Sequence, residues 1–235
     1  MASVPELGAQ DLGSELRPWQ RGSRPLPWME VVRQALTAVE RLLALALLCA
    51  LLPGLIVIAC IVALLSRRSP LVAHARVGKG GREIWILKLR TMWGSTMPAE
   101  RGHGWLVERL RGGTIPEIKR PDDPRVSSRF AAFCRRYSID ELPQLCHVVR
   151  GDLSLVGPRP MTQEELLTHY GLAAREVLRV KPGLTGLWQI RGRSSLNYRQ
   201  RRRFDLFLVR KWSIRMYLGI LLATIPRVLT GRDAC

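Results

Sequence analysis

The sequence predicts an α+β fold that is mostly α-helical, with a kinked membrane helix near its N-terminus and a small β-hairpin after it. Three observations support this prediction. An uncharged apolar run covers residues 42–65, strand-like segments flank the glycine-rich turn at residues 78–81, and apolar residues recur at helical spacing after Asp140. We expect short helices to form most of the remainder, with amphipathic helices at the C-terminal end.

The chain is expected to have three parts. Residues 1–27 are rich in proline, glycine and charge and read as a flexible tail, residues 28–68 as the membrane helix, and residues 69–235 as one folded domain. In the tail three arginines balance three acids, so the net charge of +18 lies in the rest of the chain. Such a domain should bind polyanions, which could be nucleic acid, anionic lipid headgroups or nucleotide diphosphates. The 5 cysteines form no C-x-x-C pair, so reduced thiols are expected.

The apolar run at residues 42–65 has 24 residues without a charge, enough for a helix to cross a hydrocarbon core of about 30 Å. It starts too late and is too long for a cleaved signal peptide. Pro53 and Gly54 lie at its midpoint, where proline removes a backbone hydrogen bond and can kink the helix. The residues alone favour a kinked span, while the weak charge asymmetry of the flanks leaves open a helix with both ends on one side.

The segment RRYSIDELPQLCHVVRGDLSLVGPRPM (residues 135–161) contains the acid pair Asp140 and Glu141. Ser138 and Glu141 fit a capping box, in which the acids only start a helix. Pro143 disfavours that interpretation, because a proline at the fifth helical position loses a backbone hydrogen bond and crowds the preceding turn. A helix that begins nearer Asp140 fits better and leaves both acids at the positive end of its dipole.

The same residues can also perform chemistry. Adjacent carboxylates can divide the roles of nucleophile and metal ligand, and Arg159, framed by two prolines, can present a planar fork to a phosphate. Lys88 and Arg90 alternate onto one face of the second predicted strand, where a pair of cations suits phosphate oxygens. A solvated strand face would explain these two cations equally well.

Two other segments carry weaker signals. Residues 94–125 are expected to form a surface loop with one short helix around residues 105–110. The apolar stretch at residues 216–226 is too short to span and is expected to be an interfacial helix, with Trp212 and Tyr217 at the headgroup boundary. Basic residues that should attract anionic lipids precede it: Arg199, Arg201, Arg202, Arg203, Arg210 and Lys211.

Four blocks in order resemble the bacterial sugar transferases that are monotopic polyprenyl-phosphate phosphoglycosyl transferases. They are residues 76–92 (RVGKGGREIWILKLRTM), the acid segment at 135–161, residues 181–196 (KPGLTGLWQIRGRSSL) and residues 204–214 (FDLFLVRKWSI). The likeness covers most of residues 40–230. Because the multi-span N-terminal region of larger relatives is absent, the minimal form of the family is expected.

The resemblance implies a re-entrant helix broken at Pro53, although this chain has Leu52 where the family usually has serine. Both ends of the helix would then face the cytoplasm. The catalytic domain would lie on the cytoplasmic face of the bacterial plasma (inner) membrane, in contact with membrane lipids.

The resemblance also implies the reaction. A sugar 1-phosphate passes from a UDP-sugar to a polyprenyl phosphate, expected to be undecaprenyl phosphate, with release of UMP, as the first membrane step of a glycan pathway. Asp140 would be the nucleophile and Glu141 the Mg²⁺ ligand. The phosphate and UDP-sugar ligands would be Lys88, Arg90, Arg135, Arg136, Arg159 and Arg193. Later glycosyltransferases of the pathway are candidate partners, and nucleic acid is not expected.

Two alternatives belong to other classes. A non-catalytic basic membrane adaptor would use the arginines alone, but it has no need for the acid pair together with Arg159. An inactive relative is the second alternative, because the family often has asparagine where this chain has His147 and aspartate where it has Tyr217. The family also often has aspartate where this chain has Glu40.

Overall fold

A computed structural model describes residues 27–93, 106–110, 126, 128–192 and 196–231 of the chain. It confirms the predicted α+β fold, mostly helical with a small sheet and one long apolar helix near the N-terminus. The elements in chain order are α1 (Pro27–Ser66), β1 (Leu71–Val77), β2 (Glu83–Leu89), β3 (Val107–Leu110), α2 (Arg129–Arg136), α3 (Leu145–Arg150), β4 (Ser154–Val156), α4 (Gln163–Glu165), α5 (Ala174–Val177), β5 (Gly183–Thr185), α6 (Leu187–Arg191), α7 (Tyr198–Arg210) and α8 (Ile214–Thr230). Short 3-10 turns cover Lys79–Gly81, Ile139–Gln144 and Gly171–Ala173, and a π turn covers Leu166–Tyr170.

Helix α1 contains Pro53 and is apolar and long enough to cross a membrane over Gln34–Ser66. One stripe of the helix packs on the domain. Its buried or half-buried members recur at helical spacing: Glu40, Ala44, Leu48, Leu55 and Val62. The rest of the surface exposes large apolar side chains, such as Leu42 and Leu64. This exposure is consistent with association of the helix with a membrane. The kink and the re-entrant path stay predictions.

The hairpin was predicted correctly. Strands β1 and β2 pair antiparallel from Leu71 opposite Leu89 to Val77 opposite Glu83. The short helix predicted around residues 105–110 was wrong, because Val107–Leu110 forms β3 and pairs parallel with β1. Pairing with a strand far away in sequence overrides local propensity in so short a segment. Residues 94–105 and 111–125 of the predicted loop lie outside the described residues.

The main core lies where α1, β2, α3, β4, α6 and α8 meet. It includes Ala44, Ile86, Val148, Leu155, Leu187 and Ile220. Strands β4 and β5 run parallel beside it, and their backbones touch at two glycines. A Cβ atom on Gly183 would lie 2.0 Å from the Gly157 nitrogen. This close approach fixes the start of the Pro158–Arg159–Pro160 loop against β5.

Glu40 joins α1 to the core. Its Oε1 atom accepts hydrogen bonds from the hydroxyls of Tyr217 and Ser154 and from the backbone N–H of Leu155, at 3.2 Å for the last. Two departures from the family pattern, at positions 40 and 217, therefore meet in one contact. Tyr217 is buried, so its predicted place at the headgroup boundary was wrong, whereas Trp212 is exposed.

Replacing Glu40 with alanine should lower the free energy of unfolding by about 3 kcal/mol or more, because three donors lose a buried acceptor. Glu40→Gln keeps a carbonyl oxygen at that place and should cost about 1 kcal/mol. Thermal and denaturant unfolding in the same detergent would measure both variants. Equal losses for the two would show that packing, rather than the hydrogen bonds, stabilises the contact.

Candidate active site

A cleft opens between the hairpin, the acid turn and the Pro158–Arg159–Pro160 loop. Side chains from four parts of the chain reach it: His74, Arg76, Lys88, Glu141, Arg159 and Gln189. Two of the six predicted phosphate-binding cations, Lys88 and Arg159, are among them. The cleft therefore combines carboxylate, ammonium and guanidinium groups, the set that a site for phosphoryl groups requires.

The acid pair lies on the 3-10 turn Ile139–Gln144 that leads directly into α3. Ser138 has a left-handed backbone (φ 56°) and makes no side-chain cap, so the capping-box interpretation was wrong. Pro143 is accommodated inside the turn. The chain thus turns helical near Asp140, as the proline predicted, and both acids lie in the first turn.

Asp140 is 8% exposed and lies close to the buried thiol of Cys134. Burial, with a smaller contribution from Asp140, raises the pKa of Cys134 to about 11. The thiol is therefore neutral near pH 7 and adds no negative charge beside the carboxylate. Asp140 is a largely buried side chain that does not itself line the cleft, and it directly precedes Glu141, which does.

Glu141 and Lys88 form an ion pair in the cleft. The Lys88 Nζ atom lies 2.6 Å from the Glu141 Oε1 atom, and both side chains are partly exposed. His147 holds α3 against β2, the strand that carries Lys88, because its Nε2 atom accepts a hydrogen bond from the Leu87 backbone N–H at 3.1 Å. The strand that carries Lys88 and the helix that follows Glu141 are thereby fixed to each other.

The other predicted cations lie elsewhere or are not described. Arg90 is 4% exposed, donates to the Ser69 carbonyl at 2.7 Å and forms an ion pair with Glu108 of β3. Arg135 and Arg136 end α2, where the Arg136 guanidinium lies 5.9 Å from the centre of the Tyr137 ring. Arg193 lies outside the described residues.

Arg159 lies with its guanidinium carbon 5.4 Å from the centre of the Trp188 ring. The tryptophan is 5% exposed, which leaves it little surface for stacking on a nucleotide base.

Several of the predicted lipid-facing arginines also have internal partners. Arg201 is buried, Arg202 donates to the His169 carbonyl at 2.9 Å, and Arg210 forms a bidentate pair with Glu176 at 2.8 Å.

Sequence reasoning gave no role to His74 or Arg76. Both lie on β1 opposite the strand of Lys88, so the register of the hairpin brings them to the cleft. Burial and then Arg159 lower the pKa of Arg76 to about 10, and it remains a cation near pH 7. Burial, followed by Arg76, Lys88 and Arg90, lowers the pKa of His74 to about 3. The imidazole is therefore a neutral group among cations.

The neutral state of His74 predicts a pH dependence of stability. The folded pKa of about 3 lies below the ordinary value of about 6.5, so unfolding takes up a proton between these values. The stabilisation is complete above pH 6.5 and is lost as the pH falls towards 3. Unfolding midpoints between pH 7.5 and 5 should fall less steeply for His74→Gln than for the wild type. Burial also lowers the pKa of His147, so His74→Gln should reduce the slope without removing it.

Comparison with known families matches residues 31–231 to the bacterial sugar transferases. Because this match covers most of the chain, the protein belongs to that family, as its four motif blocks predicted. It is therefore an enzyme of the sugar transferase class, and the acid turn and cationic cleft lie within the matched region.

Individual relatives agree with this assignment. UDP-glucose:undecaprenyl-phosphate glucose-1-phosphate transferase of Caulobacter vibrioides is 38% identical over 226 residues, which cover 91% of this chain and 76% of the relative. Exopolysaccharide production protein ExoY of Sinorhizobium fredii is 38% identical over 199 residues, which cover 82% and 84%. UDP-galactose-lipid carrier transferase of Erwinia amylovora is 38% identical over 194 residues, but these cover only 38% of that longer protein.

Proposed function

We propose that this protein transfers a sugar 1-phosphate from a UDP-sugar to undecaprenyl phosphate and releases UMP. The observation that carries the proposal is the meeting of Glu141 with Lys88 and Arg159 in one cleft, with Asp140 directly before Glu141 on the same turn. The names of the relatives, which include undecaprenyl-phosphate sugar-phosphate transferases and an exopolysaccharide production protein, support the same reaction and a role in exopolysaccharide synthesis.

The first step is attack by an Asp140 carboxylate oxygen on the sugar-bearing phosphorus of the donor. A bond forms between that oxygen and phosphorus, and the bond from phosphorus to the bridging oxygen breaks, so UMP leaves with the electron pair. In the second step an oxygen of the lipid phosphate attacks the same phosphorus, and the Asp140 carboxylate is released unchanged. Donor and acceptor thus use one site in turn, which predicts ping-pong kinetics.

Charge explains why a carboxylate can attack an anion here. Lys88 and Arg159 reach the cleft and can neutralise the phosphate oxygens as negative charge shifts to the leaving group. Arg76 adds a third cation from β1. Since each phosphate would otherwise repel Asp140, these side chains make the approach of the two anions possible.

The residues of the cleft also fit Mg²⁺ as a cofactor. Within the described part of the chain, no group of three or more His, Cys, Asp or Glu side chains could hold a metal by itself. Mg²⁺ usually binds through one or two carboxylates together with substrate phosphates, so Glu141 beside a bound diphosphate suits it. When bound, the ion would supply Lewis-acid stabilisation of the phosphate oxygens.

A UDP-sugar panel tests the function. Purified protein with undecaprenyl phosphate, Mg²⁺ and each UDP-sugar should release UMP with at least one donor. Without lipid, a donor should leave a sugar phosphate on Asp140, which intact mass and peptide mapping detect. A protein that binds anionic vesicles but releases no UMP with any donor would be an adaptor or an inactive relative instead.

We also propose that α1 is re-entrant and that the domain faces the cytoplasm at the plasma membrane. The apolar surface of α1 and the exposed stripe Leu218, Leu222, Ile225 and Leu229 on α8 support a domain that rests on the bilayer. Single cysteines before Trp28 and after Pro70, in a variant without native cysteines, should both be protected from an impermeant reagent in whole cells. Labelling of one of the two sites would show a spanning helix.

A further inference from the structure

Five side chains behind the cleft are connected in series from Arg159 to Glu165, and we term this set the Arg159 ring because the backbone between those two residues closes it. The guanidinium carbons of Arg159 and Arg201 lie 5.4 and 5.1 Å from the centre of the Trp188 ring. Arg201 also lies 5.1 Å from the Tyr198 ring, one turn earlier on α7. The Tyr198 hydroxyl donates to the Glu165 Oε1 atom at 2.8 Å. The contacts thus connect Arg159 to α7 and back to α4.

Glu165 closes the ring through the backbone. Its Oε2 atom accepts the N–H of Thr162 at 2.8 Å, while the Thr162 hydroxyl accepts the N–H of Glu165 at 3.1 Å. This capping box starts α4 only three residues after Arg159. The same carboxylate therefore fixes the chain that follows Arg159 and, through Tyr198, the helix that carries Arg201.

Burial separates Arg159 from the other members of the ring. Glu165, Trp188, Tyr198 and Arg201 are all buried, whereas Arg159 is partly exposed and lines the cleft. Four side chains thus lie inside the domain, and one reaches the position where the phosphates of a donor would lie. Substrate that fills the cleft can meet the ring only through Arg159.

Electrostatic interactions connect Arg159 with Glu165 and Arg201, two other members of the Arg159 ring. Burial alone would raise the pKa of Glu165, but Arg159, the Thr162 N–H and the Tyr198 hydroxyl outweigh it and lower that pKa, so the carboxylate is ionised. Burial and then Arg159 lower the pKa of Arg201. Arg159 is therefore close enough to both groups for attraction to one and repulsion from the other to set where its guanidinium lies.

We propose that Glu165, Tyr198, Arg201 and Trp188 are positioning residues that hold the Arg159 guanidinium ready for the donor diphosphate. The inference rests on the proposed function, because it assigns the ring to the same reaction. An unrestrained arginine loses rotamer freedom when it binds phosphate, whereas a guanidinium already stacked on a fixed indole loses less. A small displacement of such a group lowers the rate without touching the reacting atoms.

Tyr198→Phe is the sharpest test, because it removes only the hydroxyl and keeps the aromatic side chain that Arg201 and His169 contact. We expect kcat/KM for UMP release to fall about ten-fold. In an Arg159→Ala background, measured as single-turnover UMP release with excess enzyme, the same change should alter the rate less than about two-fold. This loss of effect is the signature of action through Arg159.

Tyr217→Phe is the matched control, since it also removes a buried tyrosine hydroxyl that donates to a buried glutamate. Whatever its own effect, it should change the rate by the same factor with and without Arg159. Arg201→Met, which keeps an unbranched side chain of similar length and removes the charge, should behave as Tyr198→Phe does and serves if Tyr198→Phe does not fold.

The outcomes separate the two proposals. A ten-fold loss from Tyr198→Phe in both backgrounds, or no loss in the wild type, would show that the ring has only a structural role. A wild-type protein that releases no UMP would contradict the proposed function instead. In that case calorimetry with inorganic pyrophosphate still tests the Arg159 ring. If Tyr198→Phe weakens pyrophosphate binding only when Arg159 is present, the result supports positioning.

Discussion

Replacement of Asp140 with asparagine should lower kcat/KM for UMP release by about 1000-fold or more and abolish the sugar phosphate found on the protein. The two side chains have nearly the same shape, and Asp140 is largely buried in a short turn, so the fold should be retained. An amide oxygen cannot displace UMP from the donor as a carboxylate does. The loss should therefore appear in kcat, with an unchanged unfolding midpoint and a nearly unchanged affinity for UDP.

Asp152→Asn is the matched control for this prediction. Asp152 is another poorly exposed carboxylate near α3, but it pairs with Arg82 at 2.5 Å and lies beyond the C-terminal end of α3, whereas Asp140 lies on the turn before that helix. Its asparagine variant should keep activity within a few-fold of the wild type even if stability falls. An Asp140→Asn variant as active as Asp152→Asn would contradict the covalent mechanism.

The parts of the site that could be predicted from the sequence depend on short-range geometry. Pro143 disfavoured the capping box and favoured a helical start nearer Asp140, and the structure places both acids in the first turn of the 3-10 segment Ile139–Gln144. Pro158 and Pro160 restrict Arg159 from both sides, and it reaches the cleft as predicted. The face of the strand on which the Lys88 side chain lies follows from the alternation of side chains along a strand. In each case the residues that decide the outcome are within a few positions of the functional side chain.

The parts that could not be predicted depend on distant contacts. Arg90 has the right spacing to share a face with Lys88, but Glu108 on β3 pairs with it, and no local pattern predicts a strand there. Arg201 was expected to face lipid, yet it is buried against Trp188 because α6 and α7 pack together. Basic residues that look alike in sequence therefore have different roles, set by the partner each one finds in the fold.

Replacement of Glu141 is the second change with a large expected effect, on both kcat and the dependence of the rate on Mg²⁺. Glu141→Gln should lower kcat about 100-fold and raise the Mg²⁺ concentration for half-maximal rate about ten-fold or more, because an amide is a poorer ligand for a hard cation. UMP release across a Mg²⁺ titration, with EDTA as the zero point, measures both quantities. The fold should be unaffected, since Glu141 is partly exposed and lies on the cleft side of the turn.

The contact between Lys88 and Glu141 allows a control from the other side. In the structure the Lys88 ammonium lies 2.6 Å from the Glu141 Oε1 atom, where it would compete with a bound metal ion for that carboxylate. Lys88→Met removes the competing charge, so the half-saturating Mg²⁺ concentration should fall while kcat also falls, because one phosphate-neutralising cation is lost. The two variants break the same ion pair but should shift the metal dependence in opposite directions. If Glu141 and Lys88 formed only a structural ion pair, both variants would shift it in the same direction or not at all, and the assignment of Glu141 as the metal ligand would be wrong.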